Sequence, residues 1–268
     1  MTVCPSAVRH LIVDMDGVLW RGNRPLPGLG AFFAVLRERN IRFVLATNNA
    51  SKRADEYVDK LASFGVSVPR EAVLTSSQAV AQYLAQHAPQ ARVFVLGTLS
   101  LAEELRAHGL TVVNDTPNAA DASHVVVGID PQLTYSKLAE ACLLIRRGAA
   151  FIGTNPDRTF PSERGIVPGN GAILAALEAA TDVQPLVIGK PQPEMFIQAM
   201  RRMGGTPEDT VVIGDRLDTD ILGGQRAGLT AWLVLSGVST REEADRGPIR
   251  PDCIFEDIGA VAAALRAV

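Results

Sequence analysis

Asp14 and Asp16 stand two residues apart just beyond the apolar run 11–13, and Asp215 and Asp220 follow a second apolar run, 211–214. An open α/β sheet binds its ligand outside the carboxyl ends of its strands, so four carboxylates are expected to gather there. Two ionised carboxylates about 4 Å apart repel by roughly 4 kcal/mol at an effective dielectric near 20, so such a cluster calls for a cation or a shared proton. A carboxylate acts as a nucleophile when a metal neutralises the group it attacks, giving an acyl phosphate that water later hydrolyses. With a spacing of two, one carboxylate faces the reacting centre and the other, on the adjacent turn, is free to move protons. Gly17 lets the backbone turn closely around that centre.

Two further strand ends carry complementary groups. Thr47, Asn48 and Asn49 close the run 41–46 ahead of a helical pattern, and hydroxyl and amide donors suit phosphoryl oxygens. The run 186–189 delivers Lys190, one of only four lysines in an arginine-rich chain. A compact ammonium there would hold both the nucleophile and a transferring phosphate. Hard carboxylate oxygens with few softer ligands favour Mg²⁺ over zinc or copper.

The elements that must position these groups alternate. Short β-branched runs at 11–13, 41–46, 92–97, 124–129, 186–189, 211–214 and 231–236 are separated by helical patterns, among them 29–40, 77–88, 136–148 and 193–205. This alternation predicts an α/β protein with parallel strands joined by helices. Pro89 and Pro185 each interrupt a pattern before a new strand, which predicts a discontinuous core of 1–88 and 186–268 and an insertion of 89–185.

At 268 residues and 47% hydrophobic, the chain is long enough for two packed units. A formal net charge of −3 argues against a broad nucleic-acid-binding surface, and the pairs Arg146-Arg147 and Arg201-Arg202 are read as solvated helix faces. Cys4, Cys142 and Cys253 lie far apart with no CxxC pair, so neither a disulfide framework nor a thiolate metal site is expected. No export signal or membrane span is visible, and a reducing, cytoplasmic setting fits best. The four histidines show no ligand spacing, and Trp20 and Trp232 are read as packing residues, with Trp20 also placed to line a flap. Gly28-Leu29-Gly30 lacks the third glycine of a dinucleotide fingerprint.

Taken in order, DxD at 14–16, TNN at 47–49, GKP at 189–191 and GDxxxxD at 214–220, with PLPG at 25–28 and GTNPDRTFP at 153–161, resemble the haloacid dehalogenase-like (HAD-like) hydrolases. The likeness covers nearly the whole chain and points to the subfamily of NagD-type proteins, p-nitrophenylphosphatases and pyridoxal phosphatases. The resemblance implies a Rossmann-like open parallel sheet with an inserted, smaller α/β cap that closes over the core. It implies Asp14 as nucleophile and Asp16 as the acid that protonates the leaving alcohol and later activates water. Mg²⁺ would be held by Asp14, the Asp16 main-chain carbonyl and Asp215. Thr47, Asn48 and Asn49 would bind phosphoryl oxygens, Lys190 would stabilise their charge, and Asp220 would orient metal waters or Lys190, while Asp218 is left as a turn residue. Relatives of this kind often pair through their caps, which implies a homodimer.

The implied activity is Mg²⁺-dependent hydrolysis of a small phosphomonoester through an aspartyl phosphate. A nucleotide, glycerol phosphate or sugar phosphate would be the substrate, with p-nitrophenyl phosphate as an artificial one. A phosphomutase or phosphotransferase would use the same intermediate, and a phosphometabolite-binding regulator would keep the fold without turnover. Dehalogenation fits less well, because it needs neither Asp16 nor the Asp215 cluster. The 155–157 turn and the 169–171 loop stand between turn chemistry and substrate contact. Phe160 occupies a position where pyridoxal-type relatives carry histidine, so pyridoxal phosphate is a less attractive substrate.

Overall fold

The computed structural model describes residues 5–114, 116–162 and 165–267, so Cys4 lies outside the described residues. The chain divides into two units. One comprises 1–47, 54–74 and 190–268, and the other 48–53 and 75–189. These divisions fall elsewhere than 88 and 186. The helix Ser76–His87 packs with Leu99–Ala107 and so groups with the second unit.

The first unit is built on a six-stranded sheet in the order Cys253–Phe255, Thr230–Val234, Thr210–Gly214, His10–Val13, Arg42–Thr47, Val73–Thr75. His10–Val13 pairs in parallel with Thr210–Gly214 on one side and Arg42–Thr47 on the other. Every residue of the two central strands is buried, as expected where helices cover both faces. The chain winds outward from His10–Val13 through residue 75, then returns to wind the other way from Thr210. The reversal places the switch point of the sheet between the strands that end in Asp14 and Asp215.

Local chemistry sets the helices that hold this sheet. Pro193–Met203 begins with proline in its first turn and stops at Gly204, whose φ of 72° is the left-handed conformation glycine tolerates. Asp257 caps the last helix, Ile258–Arg266, by accepting from the Ala260 amide at 2.9 Å. That helix packs on Leu29–Glu38. A Cβ on Gly28 would lie 2.4 Å from the Gly259 Cα, so PLPG is there for backbone contact between these helices, not for a dinucleotide.

The second unit carries its own five-stranded parallel sheet, in the order Leu186–Val187, Ala150–Gly153, His124–Val127, Arg92–Leu96, Thr111–Val112, and an antiparallel hairpin of Thr159–Ser162 with Gly165–Pro168. The run 186–189, expected to be a core strand, is therefore an edge strand of this second sheet. Gly189 explains the difference: its amide donates to the Thr154 carbonyl at 3.0 Å, and a Cβ there would fall 2.3 Å from that oxygen. Only a glycine lets the segment lie so tightly along 153–154. Among the described residues no helix is long and apolar enough to cross a membrane.

Candidate active site

Asp14 leaves its strand with its amide donating to the Ile213 carbonyl at 2.8 Å, which fixes it beside the end of the neighbouring strand. There the carboxylates of Asp14, Asp215 and Asp220 bring an oxygen each to within 4.8 Å of one another. Lys190 enters the same cluster. Its ammonium donates to Asp14 Oδ1, to Asp220 Oδ1 at 2.7 Å and to the Ala46 carbonyl at 3.2 Å. It reaches this point from the loop after Leu186–Val187 and not, as the sequence pattern suggested, from a core strand end.

Backbone geometry shapes the rest. Asp220 folds back over Gly214, where a Cβ would lie 2.1 Å from its own, and its Oδ2 accepts from the Arg216 amide at 3.2 Å. Asp215 Oδ2 accepts from the Val238 amide at 2.8 Å. Gly17 and Gly237 crowd the same carboxylate: a Cβ on Gly17 would meet Oδ2 at 2.4 Å and one on Gly237 at 1.8 Å. Gly17 also has φ of 87°, so any other residue here is both strained and displacing.

Three carboxylates thus face one buried ammonium. Burial pushes the Asp14 carboxyl well above the usual range, against the pull of Lys190 and with Asp220 and Asp215 adding to the rise. Burial, then Asp220, pushes Asp215 up to about 7. Burial alone would lower Lys190, but Asp14 and Asp220 outweigh it and hold the ammonium above its ordinary range. The set is short of positive charge and made of hard oxygens, which fits a divalent cation such as Mg²⁺.

A pH dependence follows from these shifts. In the folded protein both carboxyls bind protons more tightly than in the unfolded chain, where aspartate titrates near 3.8. Between that value and about 7 the folded state holds the extra protons, so their stabilising contribution is lost as pH rises through the window. The metal-free protein is expected to melt at lower temperature at about pH 7.5 than at about pH 5.5, with saturating Mg²⁺ flattening the slope. Thermal melts in EDTA and in Mg²⁺ check this, and a metal-free profile that is flat or rises across the window would count against it.

The other sequence-derived residues are placed differently. The Asp16 carboxylate is outside the three-carboxylate set and accepts from the Trp20 indole Nε1 at 2.6 Å. Thr47 is buried at the end of its strand, next to the Ala46 carbonyl that Lys190 contacts. Tyr57 is buried close by, and burial, with Asp16 adding to it, lifts its phenol well above the ordinary value. Asp218 is exposed and pairs with Arg216 at 3.0 Å. His10 pairs with Asp209 at 3.0 Å, and His108 faces Glu104 at 3.4 Å.

Asn48 and Asn49 belong to the second unit. The Asn48 carbonyl accepts from Ser76 Oγ at 2.6 Å and from Asn155 Nδ2 at 2.7 Å, while its own Nδ2 donates to Asp157 Oδ2 at 3.1 Å. Asn49 Oδ1 accepts from the Ser51 amide at 2.9 Å, a side-chain turn. Asn155 Oδ1 accepts from the Asp157 amide, and Asn170 Nδ2 donates to the Asn155 carbonyl at 2.8 Å. The 155–157 segment therefore carries turn chemistry that also grips Asn48, and Asn170 of the 169–171 loop holds the Asn155 carbonyl. Phe160 lies in the hairpin, opposite Val167.

Sequence reasoning missed the Val238 amide, Gly237 and the polar contact of Trp20. Main-chain donors leave no trace in residue type. The indole left one, because Trp20 sits four residues after Asp16 across the tight turn closed by the Gly17 amide on the Trp20 carbonyl.

Comparison with known proteins shows the family. The family described as haloacid dehalogenase-like hydrolase matches residues 11–111, and a second, HAD-hydrolase-like model matches 187–261. The chain is 37% identical over 250 residues to an acid sugar phosphatase of Staphylococcus saprophyticus, covering 93% of this chain and 95% of the relative. Its fold is similar to that of a 4-nitrophenylphosphatase from Thermotoga maritima, with TM-score 0.91, 38% identity and coverage of 97% of this chain and 98% of that one. A glycerol phosphate phosphatase from Mycobacterium tuberculosis, solved in complex with calcium, has TM-score 0.88 and 39% identity, over 96% of this chain and 75% of that one. The carboxylates at the switch point and these likenesses together place the chain in the haloacid dehalogenase-like hydrolase family.

Proposed function

We propose that the protein is a Mg²⁺-dependent phosphatase that hydrolyses a small phosphomonoester through an aspartyl phosphate on Asp14. The observation that carries this is the cluster of Asp14, Asp215 and Asp220 around Lys190 at the switch point of the sheet. Asp14 and Asp215, with the Asp16 main-chain carbonyl, would hold the Mg²⁺, which when bound supplies positive charge to the phosphoryl oxygens. Asp14 attacks phosphorus, and Asp16 gives a proton to the leaving oxygen and later takes one from water. Lys190 holds Asp14 Oδ1, which sets the orientation of the attacking carboxylate, and Asp220 in turn holds Lys190. Thr47, Asn48 and Asn49 bind the phosphoryl oxygens.

The second unit acts as a cap that reads the leaving group. Sugar phosphates and glycerol phosphate lead the candidates, because similar proteins bear those names, and nucleoside monophosphates follow. A cytoplasmic homodimer paired through the second unit completes the proposal. The exposed Tyr135, Ile166 and Leu186 support a contact there, and light scattering that finds only monomer would remove it.

The test is phosphate release from a panel of these esters and p-nitrophenyl phosphate, with Mg²⁺, after EDTA, and after Mg²⁺ is restored. Release that is lost and regained with the metal is expected. A rearranged phosphoester without free phosphate would indicate a mutase, and binding without release from any ester would indicate a regulator.

A further inference from the structure

Trp20 is wholly buried, yet its nitrogen is not a packing atom. It opens the short hairpin of Trp20–Arg21 with Arg24–Pro25, and its carbonyl accepts from the Gly17 amide at 2.7 Å. Its ring is held on several sides. Tyr57 stacks on it with centroids 6.4 Å apart and planes 18° apart, Phe64 lies at 6.1 Å, and Lys60 Nζ sits 4.3 Å from the ring centroid. From this fixed position Nε1 donates to Asp16 Oδ1 at 2.6 Å. Trp232 supplies the contrast within the same unit. It is equally buried, and its Nε1 has no hydrogen-bond partner among the described residues. Burial of a tryptophan in this protein therefore does not require a polar partner, and the contact at Trp20 is a specific one.

We propose that Trp20 is a positioning residue that fixes the rotamer of Asp16 and decides which of its oxygens moves protons. The proposal rests on the assignment of Asp16 as acid and base made above. An exposed carboxylate on a turn has several rotamers open to it, and a buried, stacked donor selects one. An indole N–H only donates, so Oδ1 must offer it a lone pair, and the transferable proton is carried by Oδ2. In the first step an Asp14 oxygen bonds to phosphorus as the bond to the leaving oxygen breaks. The electron pair stays on that oxygen, which takes the proton from Asp16 Oδ2. In the second step a water oxygen bonds to phosphorus and its proton passes to Oδ2, while the bond from phosphorus to Asp14 breaks and its electron pair returns to that carboxylate.

Leaving-group dependence tests this. An alkoxide needs the proton, whereas p-nitrophenolate departs without it. Trp20→Phe is expected to lower kcat for glycerol phosphate by about 30-fold, a part of the roughly 10²–10⁴-fold that general acid catalysis contributes, with KM changed less than about threefold. Single-turnover formation of p-nitrophenolate should stay within about threefold of the wild type, and a burst should appear as the second step becomes limiting. Equal losses on the two esters, or none, overturn the proposal. Asp16→Asn is the comparator: if it shows no such split, the assignment of Asp16 itself fails. A split in Asp16→Asn that is absent from Trp20→Phe overturns the positioning role alone. A second measurement needs no Trp20 variant. In ¹⁵N-tryptophan-labelled protein the Trp20 indole proton should resonate downfield of that of Trp232 and move upfield in Asp16→Asn, since a bond to a carboxylate is the stronger kind. An unmoved resonance overturns the contact.

Discussion

Asp14→Asn is expected to lower phosphate release by at least about 10⁴-fold, the order lost when a nucleophile is removed, while the metal-free protein melts no lower than the wild type. The amide keeps the shape of the side chain but cannot form an acyl phosphate. The stability side follows from the charge balance. Burial, with Asp220 and Asp215 adding to it against Lys190, raises the Asp14 carboxyl, so its negative charge is a cost to the folded state at neutral pH. Removing that charge leaves Lys190 bonded to Asp220 and to the Ala46 carbonyl. Initial rates in Mg²⁺ and thermal melts in EDTA check both halves. Wild-type turnover in the variant would sink the nucleophile assignment, and a much lower melting temperature would show that the cluster is net stabilising as it stands.

Lys190→Met should do the opposite to stability while also damaging catalysis. It strips the buried cation from three carboxylates, and breaking a buried pair from one side costs about 3–5 kcal/mol. For a chain of this size each kcal/mol corresponds to about 2–4 °C of melting temperature. Turnover should fall by about 10²–10³-fold, as when one preorganised donor is removed from a charge-stabilising site. Mg²⁺ should narrow the stability gap by supplying part of the missing charge, and adding Asp220→Asn should narrow it in EDTA by removing one of the stranded carboxylates. Unchanged melting in the single variant would mean that Lys190 is not the counter-ion of the cluster in solution.

These two residues also show how far the sequence can be read. Asp14 was legible because a short apolar run followed by DxDG constrains both the strand and the place where its side chain emerges. Asp215 was legible for the same reason, and the central strands were found nearly to the residue. The edge strands Val73–Thr75 and Cys253–Phe255 were not, because a run of three residues has too little pattern to stand out. Lys190 was recognised as a site residue, but its route was misread. The pattern at 186–189 resembles a core strand, and only the close approach of Gly189 to the Thr154 carbonyl shows which sheet it joins. Asn48 illustrates another gap. It follows a core strand directly, yet its hydrogen bonds run to Ser76, Asn155 and Asp157, partners up to 109 residues away that no local reading connects.

The reversal of winding at the centre of the first sheet also governs when the site can exist. His10–Val13 pairs with residues 210–213, so the strand that carries the nucleophile lacks one of its two neighbours until some two hundred further residues have been made. At synthesis rates of about 5–20 residues per second this is a wait of about 10–40 s on the ribosome. The second sheet, whose strands all fall between Arg92 and Val187, is complete earlier. During the interval a strand buried throughout in the finished protein presents an unpaired apolar edge, which is what chaperones bind and what aggregates. A nascent chain halted before residue 210 would therefore hold a finished second unit beside an unfinished core, with a nucleophile and no Asp215 beside it.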